Sequence, residues 1–90
     1  MTDVRRLKIE STDANLEINR YENDVVMIMI GTFVTKATER NQIELIRLVA
    51  EDETRADLHM MRIDGLTIGL DRSQIGTVAA FLELGVVEEC

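Results

Sequence analysis

An α+β domain is the fold class this sequence predicts: an antiparallel β-meander of about five to six strands with one C-terminal α-helix packed on one face. Three observations predict it. Short segments with period-two alternation are separated by turn-forming residues. One run, Val25 to Val34, is apolar except at Gly31 and Thr32. One stretch near the end carries apolar residues at helical spacing.

The first strand covers Val4 to Glu10, where Leu7 and Ile9 share a face opposite Arg6, Lys8 and Glu10. Ser11, Thr12 and Asp13 form a turn cluster, because their side chains bond local backbone groups. Alternation resumes with Leu16 and Ile18 against Glu17 and Asn19, and Tyr21-Glu22-Asn23-Asp24 marks the next reversal.

The run VVMIMIGTFV reads as the third and most central strand, buried on both faces. It is far too short to span a bilayer as a helix, which takes roughly 20 residues. Alternation sets Met27, Met29, Gly31 and Phe33 on one side and Val26, Ile28, Ile30 and Val34 on the other.

Thr35 to Gln42 is polar and aperiodic, a loop. Ile43 to Ala50 is ambiguous: Asn41 and Glu44 imitate a capping box, yet the run is short, branched and stopped by Glu51-Asp52-Glu53. A strand is favoured over a helix there. Ala56, Leu58 and Met60 then alternate with Asp57, His59 and Met61. Asp64-Gly65 is a hairpin turn signal, and Leu66, Ile68 and Leu70 form its second arm.

The helix is expected at 72–84. Asp71 caps it, with Gln74 completing a capping box, and Ile75, Val78, Ala79 and Leu82 make the apolar stripe, widened by Phe81. Gly85 is expected as the left-handed terminator. Gly76 weakens the helix by about 1 kcal/mol relative to Ala, either for a close approach to the sheet or as a tolerated weakness. Residues 86–90 read as a tail that frays, and 1–90 as a single domain.

A helix of about 13 residues spans roughly 20 Å and cannot cover both faces of such a sheet. The second face needs another cover. A homodimer through Met27, Met29 and Phe33 supplies one, and a sheet curled into a small barrel is the alternative.

Charge and composition narrow the function. Net charge is −7, with −2 in residues 1–45 and −5 in residues 46–90. Such a surface repels phosphate backbones and anionic lipid. Cys90 is the sole cysteine, so no internal disulfide forms, and the start MTDVRRLKIE has no apolar leader. A cytoplasmic protein is expected.

Site chemistry is sparse. Asp57 and His59 share a strand face, a geometry for a carboxylate-oriented base, but no nucleophile pairs with them in sequence. Cys90 lies beside Glu88 and Glu89, which raise rather than lower a thiol pKa. No metal-ligand spacing, phosphate loop or cofactor motif occurs, so the expectation is a non-enzymatic protein without metal or cofactor.

The leading expectation is an acidic interaction module that regulates or inhibits an unidentified partner protein by binding it, as a homodimer. Glu51, Asp52, Glu53 and Asp57 are its candidate acidic contacts, and Met27, Met29 and Phe33 its candidate dimer or partner surface. The alternative is a single-stranded nucleic-acid binder using Arg5, Arg6, Lys8, Arg20 and Tyr21. A membrane role is not expected.

Overall fold

The computed structural model describes residues 4–22, 25–37 and 42–89. The chain runs through β1 (Arg5–Glu10), β2 (Asn15–Arg20), β3 (Val26–Ile30), β4 (Phe33–Ala37), β5 (Glu44–Leu48), β6 (Leu58–Ile63), β7 (Leu66–Leu70), α1 (Arg72–Leu82) and β8 (Val86–Glu89). The α+β class holds, with eight strands in two sheets. The first sheet is the antiparallel meander β1-β2-β3-β4; the second has the order β7-β6-β5-β8.

The apolar run does not continue as one strand. It turns at Gly31 and Thr32, with Ile30 paired to Phe33. Gly31 has φ +60° and Thr32 does not share a positive φ, the pattern of a type II′ hairpin turn with glycine first. Glycine relieves the strain that a Cβ would meet there. Thr35 to Ala37, expected in a loop, are therefore strand residues. Residues 38–41 and the Asn23-Asp24 part of the second reversal lie outside the described residues.

Cross-strand register assigns the faces. Leu7 and Ile18 are opposite one another, as are Ile9 and Leu16, Ile18 and Ile28, and Val26 and Ala37. These form the inner face of the first sheet. In the second sheet Leu45, Met61 and Ile68 make one row, with Ile63 and Leu70 beside them. Both inner faces join Ile75, Val78 and Leu82 of α1 in one aliphatic core. The common core takes the Val26 and Ile28 side of β3, while Met27 and Met29 lie on the opposite face, outside that cluster.

Ile43 to Ala50 contributes strand β5, as favoured. Asp64 (φ 52°) and Gly65 (φ 81°) both take positive φ in a type I′ arrangement, confirming the expected hairpin. The capping box is present: the Asp71 carboxylate accepts from the Gln74 N–H at 2.7 Å, and the Gln74 side-chain oxygen accepts from the Asp71 N–H at 3.0 Å. Gln74 also donates to the Glu10 carbonyl at 2.9 Å, tying the helix start to β1.

The helix ends at Leu82, the last residue of its apolar stripe and two residues short of the expected 84. The left-handed residue is Glu83 (φ 56°), not Gly85. The helix has no basic residue in its own last turn. Arg20 of β2 supplies the charge, donating to the Phe81 carbonyl at 3.0 Å and to the Glu83 carboxylate at 2.7 Å. A cation there satisfies a terminal carbonyl and complements the helix dipole. Nothing lies within 4 Å of a Cβ built at Gly76, so no close approach explains that glycine.

Residues 86–89, expected to fray, instead pair in parallel with β5 from Leu45–Val86 to Leu48–Glu89. A parallel neighbour needs a long crossover, and β6, β7 and α1 together provide it.

The two sheets are also clasped at one edge. Gly69 of β7 turns its backbone away from β6. Its N–H donates to the Asp13 carboxylate and its carbonyl accepts from the Ser11 hydroxyl, both at 2.6 Å. The β1–β2 turn thereby occupies the β7 edge as a further strand would.

A Cβ at Gly69 would lie 2.8 Å from the Asp13 carboxylate oxygen, too close to coexist with it. Gly69→Ala is expected to lower unfolding stability by about 1–2 kcal/mol through the displaced hydrogen bond. In an Asp13→Ala background the same change should be neutral or mildly stabilising, since alanine suits a strand better than glycine. Urea unfolding of the four proteins checks this, and additive costs would refute the clasp.

Candidate interaction surface

Strand β5 is buried from both sides. Leu45 faces the common core, whereas Ile46, only 1% exposed, points the other way and lies outside that core cluster. Register places Ile46 between Met60 of β6 and Val87 of β8. The next row along the same outer face is Leu58, Leu48 and Glu89. Leu58 and Val87 are each 59% exposed, Leu48 and Met60 half-buried. This outer face therefore shows solvent a two-row apolar patch whose centre, Ile46, is dry.

The patch continues into a groove of about 340 Å³ lined by Leu48, Val49, Ala50, Ala56 and Leu58, with Glu51 and Arg55 at its margin. The loop beside it exposes Glu51, Asp52 and Glu53. Asp52 is organised locally: the Thr54 N–H donates to it at 2.9 Å, and the Thr54 hydroxyl holds its carboxyl below the usual range. Arg62 lies 3.8 Å from Glu44 at the opposite end of the face.

One buried-side network fixes this surface. Arg47 projects to the inner side of β5 and reaches Asp57 at 2.6 Å and Glu88 at 2.9 Å. Asp57 also accepts the Ala50 N–H at 2.9 Å. Arg47 thus holds both the returning loop and β8 in place. The Ala50 N–H first, and then the Arg47 side chain, keep the Asp57 carboxyl below the usual carboxylate range.

These contacts answer the sequence-level expectations residue by residue. Glu51, Asp52 and Glu53 share an exposed loop, but Asp57 is half-buried and committed to Arg47 and Ala50. Met27 and Met29 sit half-buried on the outer face of the first sheet, opposite Lys36 and Val34. Phe33 does not join them. The hairpin at Gly31 pairs it with Ile30, on the inner-face side, where it is 42% exposed.

The basic group is split as well. Arg6 and Lys8 lie on the outer face, opposite Asn19 and Glu17, and Lys8 is 3.6 Å from the Glu17 carboxylate. Arg5 and Arg20 pair on the inner side, where Arg20 serves the helix end. Tyr21, half-buried, follows β2.

His59 lies opposite Arg47 and lines a cleft of about 380 Å³ with Asp57, Leu70, Asp71 and Arg72. No serine, threonine, cysteine or lysine lines that cleft among the described residues. A third groove, about 520 Å³, crosses the outer face of the first sheet between Lys8, Glu17 and Met29. Near it, the Asn19 side-chain oxygen is buried without a partner among the described residues. Among those residues, no three His, Cys, Asp or Glu side chains could together hold a metal, and no helix is long and apolar enough to cross a membrane.

Comparison of the chain with protein-family models, with curated proteins and with solved structures finds no match.

The Asp57 anchor predicts an acid dependence. A carboxyl with a depressed folded-state pKa contributes stability that is complete above the ordinary value, about 4. That contribution is lost as pH falls through the lower, folded-state value. Asp57→Asn is expected to lower the urea midpoint at neutral pH and to flatten its decline below about pH 4. An acid decline as steep as the parent's would refute the anchor.

Proposed function

We propose that this chain is a non-enzymatic interaction module that regulates a partner protein by occupying part of its surface. One observation carries the reading: Leu58 and Val87 stand exposed over a dry Ile46 on the outer face of the second sheet. Most isolated apolar side chains on a surface need no explanation, but a contiguous patch beside a groove marks a contact site. The patch and its acidic loop are complementary to a partner with an apolar centre and a basic rim.

The nucleic-acid alternative has less support. Its five residues do not converge on one face, Arg20 is engaged by the helix end, and Lys8 is paired with Glu17. Net charge of −7 opposes a phosphate backbone over the whole molecule.

Leu58→Asp and Val87→Asp change exposed positions, so each should shift folding stability by no more than about 0.5 kcal/mol. Together they are expected to abolish capture of the partner from nuclease-treated lysate by the immobilised chain. Capture that requires nucleic acid, or that persists in the double variant, would overturn the reading. Salt gives a second measure: a phosphate-driven complex loses affinity steeply and linearly on a log–log scale.

A further inference from the structure

We infer that the partner supplies an extended, basic and apolar segment that adds as a strand to the outer edge of β8, its apolar side chains lying beside Val87 on the outer face. The inference rests on the interaction-module reading and names the surface and the chemistry of what it takes.

The edge is open in a defined way. Within a strand, the N–H and carbonyl of one residue point to the same side, and successive residues alternate. The Val49 N–H donates to the Glu89 carbonyl at 2.8 Å, so Glu89 and Val87 turn their backbone toward β5. Val86 and Glu88 therefore direct theirs outward. The opposite edge of this sheet is different, since Ser11 and Asp13 occupy it at Gly69. Among the described residues, the second sheet is thus closed on one side and extendable on the other.

Charge selects the occupant. Glu88 and Glu89 lie on the edge strand, Glu51 and Arg55 line the groove, and Asp52 and Glu53 are exposed in the same loop as Glu51. Arg47 answers Glu88, and Arg55 is a second cation here, so Glu51, Asp52, Glu53 and Glu89 leave this end with an acidic excess. A second copy would bring the same carboxylates and the same net −7 against them. Nucleic acid and anionic lipid are repelled on the same ground.

Size agrees. The patch is three strands wide, about 10 Å at ordinary strand spacing. It is too small to form the roughly 800 Å² per partner of a standard globular interface, whereas a strand added along β8 gains its affinity from main-chain hydrogen bonds.

The test uses the full chain, labelled for NMR, with two synthetic nonapeptides: alternating lysine and valine, and alternating glutamate and valine. The lysine peptide is expected to shift the amides of Val86 and Glu88, protect them from hydrogen exchange, and move the Val87 methyl signals. The glutamate peptide should bind at least tenfold more weakly. Val86→Pro removes one outward N–H, and should weaken the lysine peptide at least tenfold while Val86→Ala does not. Should the proline variant fold poorly, a lysine peptide N-methylated along one edge provides the same control and is expected not to bind.

Equal binding of both peptides, binding insensitive to both the proline and the N-methyl changes, or a lysine peptide that leaves β8 unmoved would overturn strand addition. So would a mass of two chains in light scattering with Val86 and Glu88 already protected, which would make the occupant a second copy. The broader reading is judged separately. Lysate capture lost in the Leu58→Asp/Val87→Asp protein but retained with Val86→Pro would refute strand addition and keep the interaction module.

Discussion

The molecule depends on one shared core: both four-stranded sheets and α1 turn apolar side chains into the same cluster. Ile18 and Ile28 from the first sheet, Leu45, Met61 and Ile68 from the second, and Val78 and Leu82 from α1 are all at most 1% exposed in a single cluster. No aromatic ring is among the buried side chains, so the fit rests on branched aliphatic groups packing densely. Because the core consumes both inner faces, binding surfaces are left to the outer faces and strand edges.

Three polar ties then decide which edges remain exposed. Ser11 and Asp13 close the β7 edge, Arg20 fastens the helix end to β2, and Arg47 holds β8 through Glu88. Each joins residues far apart in sequence. Arg47 acts from the inner side of β5, so it steadies β8 without covering the outer face. A short strand with all its residues exposed would otherwise add little to the sheet that carries it.

What sequence reasoning could see followed from local rules. The capping box at Asp71 and Gln74 and the turn at Asp64-Gly65 are fixed by backbone chemistry within a few residues, and both are present. The break at Gly31-Thr32 was also locally encoded, since glycine first in a two-residue turn is a type II′ signal. The apolar residues on either side masked it, and reading one strand instead of two put Phe33 with Met27 and Met29. Strand β8 was not legible, because its pairing with β5 is non-local and Val86-Val87 looks like any short tail. A clue lay in β5 itself: Leu45 and Ile46 are adjacent and both buried, which requires cover on each face. Arg20 was likewise grouped with Arg5, Arg6 and Lys8 as a candidate nucleic-acid contact, since only the folded chain brings Phe81 and Glu83 to it.

The same acidic residues that would select the proposed partner also explain how an edge strand is tolerated. An exposed strand invites pairing with an identical strand, and native proteins oppose this with short edges and charge. β8 has four residues, and two of them are glutamates. Self-pairing across this edge would gather four such carboxylates and two acidic loops against Arg47 and Arg55 from each copy. A basic segment meets the reverse situation, gaining backbone hydrogen bonds and favourable charge together. Selectivity then comes from the cost imposed on the wrong partner as much as from contacts with the right one. Neutralising Glu88 alone would blur that distinction and also release β8 from Arg47, so stability and specificity share one side chain here.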